Sequence, residues 1–404
     1  MSEIGKQKCQ ICVGCGRCVK AESGLHVITD SFLKPELLPA EQTAGKGSFV
    51  ITDIGTTTIA MELFDECGKK QGEYVCVNPQ RIAGADVISR IEASQNPLVR
   101  MQLRQMVEQE LEKGLKGFLK KNSDIRNMYI AGNTTMLNLL CGHDVSPLGY
   151  APFQADFLES EQWEILGVTV STLPGLSAFI GADIVAGIWA CGLHEKKEPT
   201  LLVDLGTNGE MVLGNKDKML ACSTAAGPAF EGMLDEQRKP VWGADVTDCI
   251  AQLLTRGMVD ETGLLKEPYF SRGISIGGIS VTQEQIRNFQ TAKAAIATGI
   301  KLLCKEYGLA SPREITRIYL AGGFGYFLKE EAARKTGLLP GTGYGKVQAV
   351  GNSALAGCYA FHFETDRKKV FSMIQKNTRI INLAETDTFS TEFVNNMDLH
   401  EWCR

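Results

Sequence analysis

The chain has 404 residues, of which 44% are hydrophobic and 22% are charged, and its formal net charge is −5. This length allows two or three domains with substantial cores, and the composition is that of an ordinary soluble protein. The charge gives no reason to expect nucleic acid or an anionic membrane as a partner. No apolar stretch has the length of a membrane span or a secretory leader, so we expect a cytoplasmic protein.

The N-terminal segment, residues 1–33, contains four regularly spaced cysteines, which are Cys9, Cys12, Cys15 and Cys18. The first three fit the ligand spacing of a ferredoxin-type [4Fe–4S] cluster, whereas Cys18 comes one residue early and lacks the following proline. Zinc is the alternative, although structural zinc sites usually separate two C-x₂-C pairs by about a dozen residues or more. The spacing therefore favours an iron–sulfur cluster, and a zinc site remains the alternative.

The next segment, residues 34–48, has the proline and glycine content of a linker. Beyond it, three patterns each occur twice and in the same order. The first is FVITDIGTTT (49–58) and LLVDLGTNGE (201–210), the second is MYIAGNTT (128–135) and IYLAGGFG (318–325), and the third is GADIVAGIWA (181–190) and GNSALAGCYA (351–360). Three matched pairs predict a duplicated domain, with one lobe at 49–197 and the other at 198–404.

Each member of the first pair predicts a buried strand that turns through Gly and Thr into a second strand. Such a tip exposes backbone N–H groups and hydroxyls that bind phosphates, and Asp53 and Asp204 at the strand ends can hold a hydrated Mg²⁺. The candidate phosphate-binding residues are Gly55, Thr56, Thr57 and Thr58 in one hairpin and Gly206, Thr207, Asn208, Gly209 and Glu210 in the other. Two ordinary hairpins with an Asp-capped turn are the alternative, which the matched pair disfavours.

The second pair predicts turns at strand ends. The nearly side-chain-free run of Gly322, Gly323, Phe324 and Gly325 suits a base or ribose, and a turn that simply needs small residues is the alternative. In the other half, 133–135 could face a second substrate or partner. The third pair predicts two helices that cross closely and form a hinge. Asp183 is a candidate to orient an attacking water, or else a first-turn acid favoured by the helix dipole.

Two further helices are predicted as core elements. Residues 100–121 carry an apolar stripe of Leu103, Val107, Leu111 and Leu115. A capping box at Thr282 opens a second helix that should end at Gly308. We expect Cys191, Cys222 and Cys304 to be small core residues. No histidine lies in a ligand pattern with Asp, Glu or Cys, so His143 and His362 receive no role.

Together, these motifs resemble the sugar kinase, heat-shock ATPase and actin superfamily. The resemblance implies an α/β fold: a duplicated, ribonuclease-H-like, two-lobed ATPase behind a short cysteine-rich metal-binding segment. More closely, residues 48–404 resemble the ATP-dependent reductive activators of corrinoid-dependent proteins. The stretches that carry this are the two hairpins, the two Ala-Gly turns, AAGPAFEG (225–232) with its Gly227, and GGISVTQEQI (277–286).

This family resemblance implies ATP hydrolysis coupled to delivery of a low-potential electron, which restores an inactive Co(II) corrinoid protein to Co(I). It implies ATP, Mg²⁺ and an iron–sulfur cluster as cofactors, a corrinoid protein as client, a reduced electron donor protein and a homodimer. The family's usual front end is a ferredoxin domain with a [2Fe–2S] cluster. Here the segment ahead of the first hairpin is too short for that domain and carries the cysteine run instead.

Three alternatives stay open. The chain could activate a radical 2-hydroxyacyl dehydratase, whose activators hold a [4Fe–4S] cluster at a dimer interface. It could be a small-molecule kinase with a structural zinc site. It could also be a nucleotide-gated binding module with negligible turnover, although the paired aspartates argue against that.

Overall fold

The computed structural model of the protein describes residues 47–206, 208–227, 230, 233–234, 240–241, 243–341 and 345–402. The predicted metal ligands Cys9, Cys12, Cys15 and Cys18 lie outside these residues, as does the candidate phosphate-binding residue Thr207. Within them, no helix combines the length and the apolar character needed to cross a membrane.

The first lobe is built on a six-stranded sheet. Its strands are β1 (Ser48–Ile54), β2 (Thr58–Phe64), β3 (Lys70–Val77), β4 (Ile125–Gly132), β5 (Gln162–Ile165) and β6 (Val168–Thr172). Its helices are α1 (Val87–Ser94), α2 (Pro97–Leu119), α3 (Thr134–Cys141), α4 (Ser146–Gly149) and α5 (Ala182–Ala190), with 3₁₀ turns at Pro79–Ile82 and Leu193–Glu195. The strand order is β3-β2-β1-β4-β6-β5.

The second lobe repeats this plan. Its strands are β7 (Thr200–Leu205), β8 (Gly209–Gly214), β9 (Met219–Thr224), β10 (Met233–Leu234), β11 (Pro240–Val241), β12 (Ile274–Ile276), β13 (Ile279–Val281), β14 (Arg317–Ala321), β15 (Lys346–Gly351) and β16 (Thr378–Ile380). Its helices are α6 (Gly243–Thr255), α7 (Tyr269–Arg272), α8 (Gln283–Tyr307), α9 (Gly322–Phe327), α10 (Glu330–Lys335), α11 (Ser353–Phe363), α12 (Arg367–Asn377) and α13 (Phe389–Asn395), with 3₁₀ turns at Pro312–Glu314 and Leu383–Glu385. The main sheet has the order β15-β14-β7-β8-β9-β16, and β10 with β11 and β12 with β13 form separate two-stranded pairs.

The duplication holds at the level of single residues. In each lobe an antiparallel hairpin, β1–β2 or β7–β8, lies beside a parallel strand, β4 or β14. Asp53 pairs in register with Ala131, and Asp204 pairs in the same way with Ala321. The predicted duplicated α/β fold is confirmed.

Both predicted core helices are present. Helix α2 begins at Pro97, three residues before the predicted start, because the Asn96 side chain accepts the Leu98 N–H and proline suits the first turn. Its predicted stripe is fully buried. Helix α8 opens with the predicted capping box at Thr282 and ends at Gly308 in the left-handed conformation. Cys191, Cys222 and Cys304 are buried, as expected.

The predicted linker at 34–48 ends earlier than expected. Ser48 already belongs to β1, because its N–H donates to the Asp124 carbonyl oxygen at 3.0 Å and its hydroxyl accepts from Asn122 at 2.7 Å. Residues 34–46 of that linker lie outside the described part of the chain.

The two helices of the third pair, α5 and α11, join the lobes. A Cβ on Gly187 of α5 would lie 2.9 Å from the Ser353 hydroxyl oxygen, and a Cβ on Gly357 of α11 would fall on the carbonyl oxygen of Ala186. At Gly357 only glycine fits without displacing the backbone of the facing helix, whereas at Gly187 the Ser353 and Leu202 side chains would have to move. The predicted close crossing is confirmed, and its use as a hinge stays a prediction.

Candidate active site

Both hairpin tips are closed by a backbone hydrogen bond from their first glycine, although the two turns differ in length by one residue. The Gly55 N–H donates to the Thr58 carbonyl oxygen at 2.9 Å, and the Gly206 N–H donates to the Asn208 carbonyl oxygen at 3.0 Å. Each tip is therefore a tight, closed turn directly after the strand that carries the aspartate. Turns of this kind present neighbouring N–H groups to a ligand.

The first tip is supported from behind by two side chains. Asn78 donates to the Gly55 carbonyl oxygen at 2.8 Å, and Arg90 donates to the Thr56 carbonyl oxygen at 2.5 Å. The Arg90 side chain is fully buried, and its burial lowers the pKa of the guanidinium to about 10, with a smaller contribution from nearby Arg81. Arg90 thus stays charged near neutral pH. Sequence reasoning missed both residues because neither belongs to a motif.

Four carboxylates converge between the hairpins, and they include the three predicted catalytic residues. Burial is the main reason that the pKa of Asp53 rises to about 6. Burial and the charge of Asp53 raise the pKa of Asp204 to about 7. Burial and the charges of Asp204 and Asp53 raise the pKa of Asp183 to about 7. Burial, Asp183 and Asp204 hold the pKa of Glu210 well above its usual value.

Mutual repulsion of this kind shows that these carboxyl groups share one electrostatic environment. A divalent cation with its hydration shell would relieve the repulsion, and carboxylate oxygens are the ligands that Mg²⁺ uses. The residues present therefore fit a magnesium ion that accompanies phosphates. Asp183 lies in the first turn of α5 and accepts the Ile184 N–H at 2.8 Å, so it is both a first-turn acid and a member of the cluster.

One contact joins the first hairpin to the opposite lobe. Asn352 donates to a carboxylate oxygen of Asp53 at 2.7 Å, and this hydrogen bond partly offsets the rise in the pKa of Asp53. The same side chain accepts the Leu355 N–H and so caps helix α11. Asn352 therefore couples the start of one crossing helix to the aspartate of the other lobe. Asn352 lay within one of the repeated motifs, but the sequence did not show that Asp53 would be its hydrogen-bond partner.

The two Ala-Gly turns pack against the ends of the hairpin strands. A Cβ on Gly132 would lie 2.7 Å from the Ile54 carbonyl oxygen, and one on Gly322 would lie 2.6 Å from the Leu205 carbonyl oxygen. Gly322 also has φ +80°, which favours glycine. Close packing at the strand ends is thus enough to explain why both positions are glycine. Both glycines also lie beside the hairpins, which is where a nucleotide-binding role would require them.

The remaining predicted residues of these turns have distinct surroundings. Phe324 is buried and stacks on Phe230 with the ring centroids 4.4 Å apart, so its ring belongs to the core. Gly325 is buried and Gly323 is half-buried. Gly227 has φ +74°, and among the described residues none lies within 4 Å of where its Cβ would be.

The polar residue of the other turn faces the first hairpin. Asn133 donates to the Thr56 hydroxyl oxygen at 3.1 Å, and whether residues 133–135 also face a second substrate or partner stays a prediction. Its side-chain oxygen accepts the Met136 N–H and caps helix α3. Asn133 therefore holds the first hairpin tip against the start of that helix.

Comparison with known proteins places the chain in a family. The model of the RACo middle region matches residues 49–196, and the model of the C-terminal ASKHA domain of RACo matches residues 198–237 and 233–402. The chain belongs to the RACo family. The resemblance found in the sequence is thereby confirmed.

Two relatives and one solved structure resemble this RACo-family chain. The corrinoid activation enzyme RamQ of Eubacterium limosum is 28% identical over 439 aligned residues, which cover 92% of this chain and 74% of RamQ. The [Co(II) methylated amine-specific corrinoid protein] reductase of Methanosarcina barkeri is 21% identical, covering 85% of this chain and 76% of the reductase. The solved structure of a reductive activator for a corrinoid, iron–sulfur protein matches with a TM-score of 0.76 and 28% identity, covering 89% of this chain and 67% of that one.

His143 received no role from the sequence, but the structure places it in a group of side chains that could hold a metal ion. In the RACo-family chain described here, His143 contacts the carboxylate of Glu161, and Cys141 lies beside both. Cys141 and His143 are two residues apart, which was a visible signal, but Glu161 joins them only through the fold. His362 stacks on Phe49 with the ring centroids 3.6 Å apart and is a packing residue.

Proposed function

We propose that this RACo-family protein is an ATP-dependent reductive activator of a corrinoid protein. ATP would be hydrolysed between the two hairpins, and the resulting movement of the lobes would drive one electron onto an inactive Co(II) corrinoid, giving Co(I). The observation that carries this proposal is the family match over both lobes, combined with carboxylates that meet between two phosphate-type hairpins. The names of RamQ and of the corrinoid protein reductase support the choice of client.

We assign the nucleotide to the cleft between the hairpins. Asp53 and Asp204 would hold the hydrated Mg²⁺ of MgATP, and Asp183 would orient the attacking water. The backbone N–H groups of the two tips would bind the phosphates, with the Gly322 turn and Gly227 on the nucleoside side. The cation would neutralise carboxylates that otherwise repel one another, so the site binds MgATP better than free ATP.

Closure of the lobes would act through the crossing helices. Helices α5 and α11 meet at glycines, and their first turns carry Asp183 and, as the cap of α11, Asn352. A nucleotide that pulls on Asp53 therefore also acts on Asn352 and on the start of α11. This arrangement links the state of the phosphates to the angle between the lobes.

The electron would enter through the N-terminal segment, residues 1–33. We propose that Cys9, Cys12, Cys15 and Cys18 hold a [4Fe–4S] cluster, which would supply one-electron transfer from a reduced donor protein. Residues 34–47 would serve as the linker, followed by lobes at 48–197 and 198–404, and the active form would be a homodimer.

The first experiment measures Co(I) formation under anaerobic conditions. The full chain is mixed with a Co(II) corrinoid protein and titanium(III) citrate, with MgATP, with a non-hydrolysable ATP analogue or without nucleotide. We expect Co(I) absorbance to develop only in the sample that contains hydrolysable MgATP. Asp204→Asn should abolish both Co(I) formation and ATP turnover. Asp217→Asn, the same change at an exposed position, is the control. Equal Co(I) formation without ATP would contradict the proposal.

A second experiment tests the electron carrier. Iron, sulfide and zinc are measured after anaerobic purification, and an EPR spectrum is recorded after dithionite reduction. We expect about four irons per chain and a reduced [4Fe–4S] signal, both lost when the four N-terminal cysteines are changed to serine. Zinc in place of iron at those cysteines would overturn this part of the proposal while leaving the ATPase part standing.

A further inference from the structure

Three ligand-type side chains meet in the first lobe, at the end of helix α3. Cys141 is the last residue of that helix, His143 follows two residues later, and Glu161 lies just before β5. One ligand atom from each of them lies within 4.8 Å of the other two, and Nε2 of His143 contacts the Glu161 carboxylate. All three side chains are partly buried. The cluster lies apart from the carboxylates between the hairpins, and the proposed reaction does not use it.

Each of the three residues is fixed by its own surroundings. The His143 ring stacks on Phe157 with the ring centroids 4.3 Å apart, and the backbone N–H of His143 donates to the Asn138 carbonyl oxygen at 2.9 Å. The Glu161 N–H donates to the Thr172 hydroxyl oxygen at 2.9 Å. The ligand atoms are therefore held near one another by the helix end and by the edge of the sheet, before any ion binds.

We propose that Cys141 Sγ, His143 Nε2 and a Glu161 carboxylate oxygen form a Zn²⁺ site. Tetrahedral zinc with bonds of about 2.0–2.3 Å holds its ligand atoms roughly 3.3–3.8 Å apart, so small side-chain movements complete the site. A set of sulfur, imidazole nitrogen and carboxylate oxygen suits zinc and excludes Mg²⁺ and Ca²⁺, which prefer oxygen alone.

Three protein ligands leave a fourth position for water. Binding releases the thiol proton to solvent, and the thiolate and carboxylate then balance the two positive charges of the ion. Arg104 donates to the Cys141 carbonyl oxygen. Its Nε also donates to a carboxylate oxygen of Glu108 at 2.9 Å, so the arginine is already paired with an acid.

The ion fastens helix α3 to the chain segment that enters β5. This helix begins at Asn133, which donates to Thr56 of the first hairpin tip. A zinc ion at the far end of the helix therefore stabilises the element on which that tip rests. We expect zinc to raise the melting temperature of the metal-free protein, independently of ATP or a corrinoid.

The test uses full-length protein with its affinity tag removed and with Cys9, Cys12, Cys15 and Cys18 changed to serine, so that the N-terminal segment cannot bind the metal. After chelator treatment, the protein is titrated with Zn²⁺ against a chromophoric chelator and, separately, with Co²⁺. We expect one Zn²⁺ per chain and a thiolate-to-cobalt charge-transfer band in the near ultraviolet.

Three variants and one control decide the outcome. Cys141→Ser, His143→Ala and Glu161→Gln should each weaken zinc binding by at least about tenfold, since each removes one of three protein bonds, and Cys141→Ser should also lose the cobalt band. Cys67→Ser changes an exposed cysteine and should alter neither. Melting curves of the metal-free variants show whether each one folds. Folded variants that all keep the parent's zinc affinity, or a parent that binds no zinc, would overturn the proposal.

Discussion

Replacing Asp204 with asparagine should stabilise the nucleotide-free protein while it abolishes catalysis. Burial and the charge of Asp53 raise the pKa of Asp204 from 3.8 to about 7, so folding disfavours the charged carboxylate. A shift of this size corresponds to about 4 kcal/mol at most. Because the side chain is partly exposed and solvent screens its charge, we expect about 2 kcal/mol.

The sign of the effect depends on pH. Between the unfolded pKa of 3.8 and the folded pKa of about 7, the folded state of the wild type binds more protons than the unfolded state, so its stability falls as pH rises. Asparagine does not titrate, so the variant does not lose stability in this way as the pH rises. The variant should therefore be more stable than the wild type at pH 8. The difference should shrink to less than about half at pH 5 and disappear only below the unfolded pKa of 3.8.

The measurement is thermal unfolding without nucleotide and with EDTA at both pH values. A gain of about 2 kcal/mol corresponds to roughly 4–8 °C for a lobe of this size. Adding MgATP should raise the melting temperature of the wild type and leave that of Asp204→Asn nearly unchanged. Asp217→Asn should melt like the wild type throughout. A lower melting temperature for Asp204→Asn at pH 8, or a difference that does not shrink at pH 5, would refute the electrostatic reasoning.

Three smaller changes test other parts of the structure. Asn352→Ala removes the hydrogen bond that lowers the pKa of Asp53, so the acid limb of the ATPase pH profile should move to higher pH; an unchanged profile would show that Asp53 does not titrate in the reaction. Gly357→Ala places a methyl group on the Ala186 carbonyl oxygen of the facing helix and should reduce both stability and ATP turnover. The control is Gly117→Ala, where no described atom lies near the added methyl group. It should leave turnover unchanged and either keep the stability or raise it by up to about 1 kcal/mol. Thr282→Ala removes a capping box and should cost about 1 kcal/mol in urea unfolding, with little effect on ATP turnover.

Much of the fold was predictable because its signals are local. An uninterrupted apolar run followed by Asp-x-Gly-Thr predicts a buried strand and a tight turn, and both hairpins have that form. Paired glycines at helical spacing predicted the crossing of α5 and α11. The capping box at Thr282 predicted the start of α8 to the residue. In each case the physical cause lies within a few residues of the signal.

The parts that could not be predicted depend on residues far apart in the chain. Asn352 and Asp53 are separated by 299 positions, and nothing in either neighbourhood identifies the other as its partner. Glu161 joins His143 through the path of the chain between β4 and β5. Phe324 lay in a turn predicted to face a nucleotide, yet its ring packs on Phe230. The backbone pattern was recognisable in that case, but the direction of the side chain was not.

The two hairpins occupy equivalent places in their lobes but differ in the charge around them. The first tip is backed by the buried guanidinium of Arg90, which donates to the Thr56 carbonyl oxygen and stays charged with a pKa of about 10. Beside the second tip, Asp183 and Asp204 help to hold the pKa of Glu210 well above its usual value. Phosphates bound between the two tips should therefore lie nearer the first tip, and a cation held by Asp53 and Asp204 should lie nearer the second. A duplicated fold with two equivalent hairpins would thus offer MgATP one favoured orientation, which a cleft with equal charges on both sides could not do.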